Sequence, residues 1–186
     1  MKSYNIKSKK KQQGFTLIEM AIVLVLAAAV VYGIFAAMKV VGTRTTNNQE
    51  VKNATMIAAD LKTKFGGQLS YSGLNNATAI QINAIPKGMI QGANIITGWG
   101  TTLAITASNV NGTANDGFAL TYDVPADSCS DFISAVEGAF TKITIGTNVV
   151  KNTRSGDSTL TVADLARCSA TATGNAGVAV ILEASR

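Results

Sequence analysis

Few residues in this chain have the types and spacing that chemistry needs, and the densest group lies near its start. In GFTLIEMAIVLVLAAA, residues 14–29, one carboxylate, Glu19, stands at the edge of an apolar run. An ionised side chain inside hydrocarbon costs about 2.5 kcal/mol or more, so something must offset it. A cut between Gly14 and Phe15 would supply the offset. Phe15 would then carry a free α-ammonium four residues from Glu19, and opposite charges attract strongly in a low dielectric. Within one helix the two partly meet. In a stack of identical helices Glu19 meets a neighbour's amino terminus, and only one axial stagger leaves no charge unpaired.

Elsewhere the chemistry is thin. There is no histidine, which removes the commonest acid–base group and the commonest metal ligand. Gly98-Trp99-Gly100 lacks the third glycine of a dinucleotide fingerprint, and no phosphate-binding loop is present. Asp123, Asp127 and Asp131 recur at four-residue steps, but no calcium-loop pattern surrounds them, and they read as turn and helix-start acids. Trp99 and Tyr71 read as core or subunit-contact residues rather than ligand platforms. Asn53, Asn76 and Asn111 each begin an Asn-x-Thr sequon, a pattern expected by chance in a Thr-rich chain. No catalytic residue, metal or cofactor is expected. Cys129 and Cys168 fit no zinc or CxxC pattern; in an exported protein the pair reads as a disulfide, and in a reduced one as two buried thiols.

The elements that hold these residues follow from composition and period. The chain has 186 residues, 47% apolar and 15% charged, with a formal charge of +5. Lys2, Lys7, Lys9, Lys10 and Lys11 precede residue 15 with no acid among them. Without these lysines, basic and acidic residues balance, so the charge belongs to a leader and marks no nucleic-acid surface. Met20 to Met38 is uncharged and long enough to cross a bilayer, with the lysines on the cytoplasmic side. An ordinary secretory signal and a plain membrane anchor share this pattern, but neither needs Gly14 or Glu19.

Val51, Ala54, Ile57, Ala58, Leu61 and Phe65 continue at three- and four-residue steps, and Gly66-Gly67 supplies a stop. One helix of about 50 residues is expected, roughly 75 Å long, apolar all round and then amphipathic. Gly33 and Gly42 are its weak points, each costing about 1 kcal/mol relative to Ala, and the helix is expected to stretch or melt locally there. Close packing of neighbouring helices is the other use for small residues.

Beyond it, a short helix is expected around Ala77 to Ala84. Strands are expected at Thr101 to Ala107, Gly117 to Val124, Lys142 to Val150 and Gly177 to Ala184, with a helix within Ser130 to Phe140. Thr161 and Asp164 form a capping-box pattern that opens a short helix ending near Cys168. The fold class is therefore α+β: an antiparallel sheet on the amphipathic half of a long amino-terminal helix. The expected organisation is a basic leader 1–14, an apolar half-helix 15–40, an amphipathic half 41–66 and a head 67–186, with residues 129–168 closed by the cysteines.

The amino-terminal signature, a basic leader ending in Gly14 followed by Phe-Thr-Leu-Ile-Glu and an apolar run, resembles that of type IV pilins. FGGQLSYSGLNNATAIQINAIPKGM, residues 65–89, is similar to the type IVb pilins of enteric bacteria and their conjugative-plasmid relatives. The fourteen-residue leader and the Phe start are more usual in the IVa branch. The resemblance implies cleavage after Gly14 by a prepilin peptidase, N-methylation of Phe15, and Glu19 as the family glutamate. It implies insertion in the inner membrane, then assembly by inner-membrane pilus machinery into an extracellular helical filament of like copies, used for adhesion, aggregation or conjugation. It also implies that the disulfide-closed region is an exposed edge. A minor pilin or a secretion pseudopilin shares the same start. A membrane-anchored exported enzyme or binding protein is the reading from a different class.

Overall fold

The computed structural model describes residues 16–170 and 177–185. The chain divides into two compact units, Met1–Val41 and Gly42–Arg186. Helix α1, Leu17–Lys64, contributes to both and is helical without a break through Gly33 and Gly42. Its composition explains the division. From Met20 to Met38 the side chains are uncharged and apolar on every face, and the large ones in this half range from 49% exposed at Met20 to 90% at Leu17. From Gly42 onward one face is buried, with Ala54, Ile57 and Leu61 fully buried and Met56 left on the exposed side. The helix stops at the expected glycines: a Cβ on Gly66 would lie 3.1 Å from the Lys62 carbonyl oxygen.

In the second unit the expected α+β head is present. Helix α2, Asn76–Gln81, is capped by Asn75, whose side chain accepts from the Thr78 N–H at 3.0 Å. Asn76 then locks α2 to the chain ahead of it, donating to the Leu103 carbonyl and accepting from the Ile105 N–H. A short hairpin, β1 at Ile90–Gln91 and β2 at Asn94–Ile95, lies between the helix expected around Ala77 to Ala84 and the strand expected from Thr101. Strands this short carry no period to read.

The main sheet is antiparallel throughout. It comprises β3 (Ala104–Ser108), β4 (Gly117–Val124), β5 (Lys142–Ile145), β6 (Asn148–Asn152) and β7 (Val178–Ser185), in spatial order β3-β4-β7-β5-β6. Alternation assigns the faces: Phe118, Leu120, Tyr122 and Val124 of β4 are buried beside Val178, Val180, Leu182 and Ala184 of β7. These residues form one core with Ala54, Ile57 and Leu61 of α1 and with Phe65 just beyond its end. The sequence KITIGTNVV is two strands rather than the single strand expected. Gly146, at φ +60°, turns the chain between β5 and β6, a conformation that glycine adopts without a Cβ penalty.

Helix α3, Ala126–Val136, begins earlier than its apolar period, directly after Pro125, which suits a helix start. It buries Phe132, Ile133 and Val136. Thr161 and Asp164 form the expected capping box ahead of α4, Val162–Leu165, and α5 follows at Arg167–Ala170. Cys129 of α3 and Cys168 of α5 are joined in a disulfide and both are buried. It closes a segment whose ends are 39 residues apart. Replacing both cysteines by serine is expected to destabilise the head by about 3–4 kcal/mol, the chain-entropy value for a loop of this length. Thermal unfolding of the full chain in detergent, with and without reductant, checks this; equal melting temperatures for variant and parent would contradict it.

Candidate assembly site

The start of α1 is built around Thr16 and Glu19. The Thr16 N–H and hydroxyl both donate to Glu19 Oε2 at 3.2 Å, and the Glu19 N–H donates back to Thr16 Oγ1 at 3.3 Å. This is a reciprocal capping box, which satisfies helix-terminal donors that otherwise have no partner. It also holds a negative charge at the positive end of the helix dipole. Glu19 is thus compensated within its own chain. The Thr-x-x-Glu spacing ahead of an apolar run was the signal for this bond, and it was legible in the sequence beside the charge argument. Gly14 and Phe15, the expected cleavage pair, lie outside the described residues.

Behind Glu19 the apolar half of α1 presents large side chains with nothing of their own unit over them. Burying one such side chain is worth about 1.5–3 kcal/mol, so this surface demands a covering. Helix α1 is long and apolar enough to cross a membrane. A Cβ at Gly33 or Gly42 would meet nothing within 4 Å, so the chain by itself gives no reason for glycine at either position.

The amphipathic half carries a residue that periodicity alone passes over. Glu50 lies on the buried face, 1% exposed, with Asn47 and Asn53 buried beside it. Its Oε1 accepts from the Gly98 N–H and from Asn53 Nδ2, both at 2.9 Å. The Gly98 bond spans 48 residues and fastens the Thr97–Gly100 turn to α1. The approach is close there: a Cβ on Gly98 would stand 3.0 Å from Thr46 Cγ2 and 3.1 Å from Glu50 Oε1, so a larger residue would make those side chains give way. Burial pushes the Glu50 carboxyl above its ordinary value of 4.5, against the lowering effect of its two donors. Burial and the nearby Glu50 charge also push the Tyr122 phenol upward.

The remaining candidates separate cleanly. Asp123, Asp127 and Asp131 are exposed, and no group of three His, Cys, Asp or Glu side chains suited to a metal occurs among the described residues. Tyr71 is fully buried against Phe65 and Phe118, and Trp99 packs edge-on to Phe132. Of the three sequon asparagines, Asn53 is buried and Asn76 is engaged on both sides of its amide, whereas Asn111 is exposed.

A long apolar-then-amphipathic helix leading into a disulfide-closed antiparallel head is the fold of a type IV pilin, and solved structures agree. TcpA, a type IV pilin from Vibrio cholerae El Tor biotype, superposes with a TM-score of 0.58 at 16% identity, covering 76% of this chain and 99% of its own. The type IVb pilin from Salmonella typhi gives a TM-score of 0.57 at 21% identity, covering 75% of this chain and 99% of its own. Residues 9–35 match the prokaryotic N-terminal methylation motif, and residues 44–182 match the family described as PilS N terminal. The chain belongs to the PilS family. A comparison with curated protein sequences gives no match.

The Glu50 environment sets a pH dependence. Its carboxyl is raised in the folded state, so the associated stability is fully present below about pH 4.5 and is lost as pH rises through the folded value. Glu50→Gln keeps an acceptor for Gly98 and removes the charge. The melting temperature of the variant is therefore expected to exceed that of the parent by a margin that grows as pH rises above 4.5 and then levels. A margin independent of pH, measured by thermal scans of both full chains in detergent, would contradict this.

Proposed function

We propose that the chain is the major structural subunit of a type IVb pilus. The precursor sits in the bacterial inner membrane with its lysines in the cytoplasm. A prepilin peptidase cuts between Gly14 and Phe15, and the new Phe15 amine is methylated. The inner-membrane assembly machinery then stacks copies into an extracellular helical filament that serves adhesion, aggregation or conjugation.

One observation carries this reading: an exposed apolar half-helix with a single carboxylate at its leading edge, held toward the chain start by the Thr16 capping box. Lipid covers that surface before assembly, and a bundle of like helices covers it afterwards. The exchange leaves the hydrophobic term nearly unchanged, so register falls to polar groups. Glu19 and the Phe15 ammonium supply it, since an unpaired charge in that interior costs about 3–5 kcal/mol. Removal of the five leader lysines releases the cytoplasmic tether. Gly33 and Gly42 let neighbouring helices approach closely and are the places where α1 can stretch under load.

Glu19→Gln separates capping from charge, because glutamine also completes a capping box. The variant is expected to insert, fold its head and accumulate at the parent's level, while sheared surface filaments disappear from electron micrographs. Normal piliation would refute the register mechanism. Intact mass and amino-terminal sequencing of membrane and sheared fractions test the processing step; a filament chain starting at methylated Phe15 is the expected result, and one starting at Met1 refutes it.

A further inference from the structure

A cleft of about 410 Å³ opens between α1 and the segment from Pro86 to Gly98, with Glu50 in its wall. Gln49 and Asn53 bring amides to it, and Met89 and Ile96 bring apolar surface. Glu50 is the puzzle. Its two hydrogen bonds, from Gly98 and Asn53, would be accepted equally by an uncharged glutamine. Its second oxygen, Oε2, is buried with no hydrogen-bond partner in the protein. Among the described residues no Lys or Arg lies within ion-pair reach of it. A buried carboxylate is costly unless a cation meets it.

We infer that this cleft is a binding site for an alkylammonium group, with Glu50 as its counter-charge. The lining fits a charged head on an apolar stem: the ammonium lies on the carboxylate side, and the methylenes lie along Met89 and Ile96. An anion would meet the Glu50 charge, and a neutral polar ligand would leave that charge uncompensated. Two sources offer the group, a lysine side chain of a second copy of this chain and a free aliphatic amine.

The test uses the full chain in detergent micelles, labelled with ¹⁵N and titrated with cadaverine. The Gly98 amide reports directly, because it donates to Glu50. A saturable shift of Gly98 is expected with cadaverine and none with 1,5-pentanediol, which has the same stem without charge. In Glu50→Gln the affinity is expected to fall by about tenfold or more, the loss of a charge-assisted contact. Gly88 lines the cleft with open space around its Cβ position, so Gly88→Arg is expected to weaken binding without touching the core. An unmoved Gly98 amide, or equal cadaverine affinity in parent, Glu50→Gln and Gly88→Arg, overturns the inference.

Carbodiimide treatment of intact filaments then separates the sources, since it joins a carboxylate to an amine in contact with it. A Glu50–lysine amide between copies identifies the second copy as the source. Cadaverine binding without that cross-link identifies a free amine. The titration does not depend on polymerisation: a chain that binds cadaverine and forms no filament retains this site while refuting the pilus reading.

Discussion

Everything in this protein depends on one helix that must satisfy two environments. The first half of α1 has no polar face and needs an apolar covering, which lipid or like helices would supply in the proposed reading. The second half has one apolar face and is the wall against which the sheet completes its core. Neither half can take the other's place. An amphipathic stripe in the first half would put polar groups into hydrocarbon, and an all-apolar second half would leave grease on the surface of the head. The change of composition near residue 41 is therefore the physical boundary of the molecule, and the division into two compact units falls there.

Polar groups in such a molecule act where apolar contact cannot discriminate. At the start of α1, Thr16 and Glu19 satisfy each other, so the carboxylate is oriented before it meets any partner. In the head, Glu50 links the helix to a turn 48 residues away. Hydrophobic burial holds α1 to the sheet but slides easily along the helix axis. A directional bond with a close approach at Gly98 favours one setting. Asn76 does the same between α2 and β3, with one amide bonded on both sides.

Periodicity made much of this legible. The α1 face, the β3 and β4 alternations and the Thr161 capping box all appear in the sequence, because each is a local pattern with a period or a fixed offset. The head's smaller pieces were not legible for the same reason. β1 and β2 have two residues each, and the β5–β6 turn rests on Gly146 adopting a positive φ inside what reads as a continuous strand. Glu50 was missed because a carboxylate on a helix reads as solvent-facing. Only the tertiary placement of Gly98 brings it a donor, and no spacing rule relates residues so far apart. Thr16 is a different omission: its offset from Glu19 was in plain view, and the charge argument alone drew attention to the glutamate.

The position of β7 governs the order in which the head can be made. This strand pairs with β4 on one side and β5 on the other, and it follows in the chain every strand that it joins. Until it arrives, β3–β4 and β5–β6 are two separate hairpins with open edges and a half-built core. The sheet therefore closes last, from the middle. Under the proposed export, with the amino terminus held behind, the head stays incomplete until β7 has crossed. A chain interrupted before β7 presents unpaired strand edges to proteases instead of a closed sheet, so the topology itself tests whether β7 has been made.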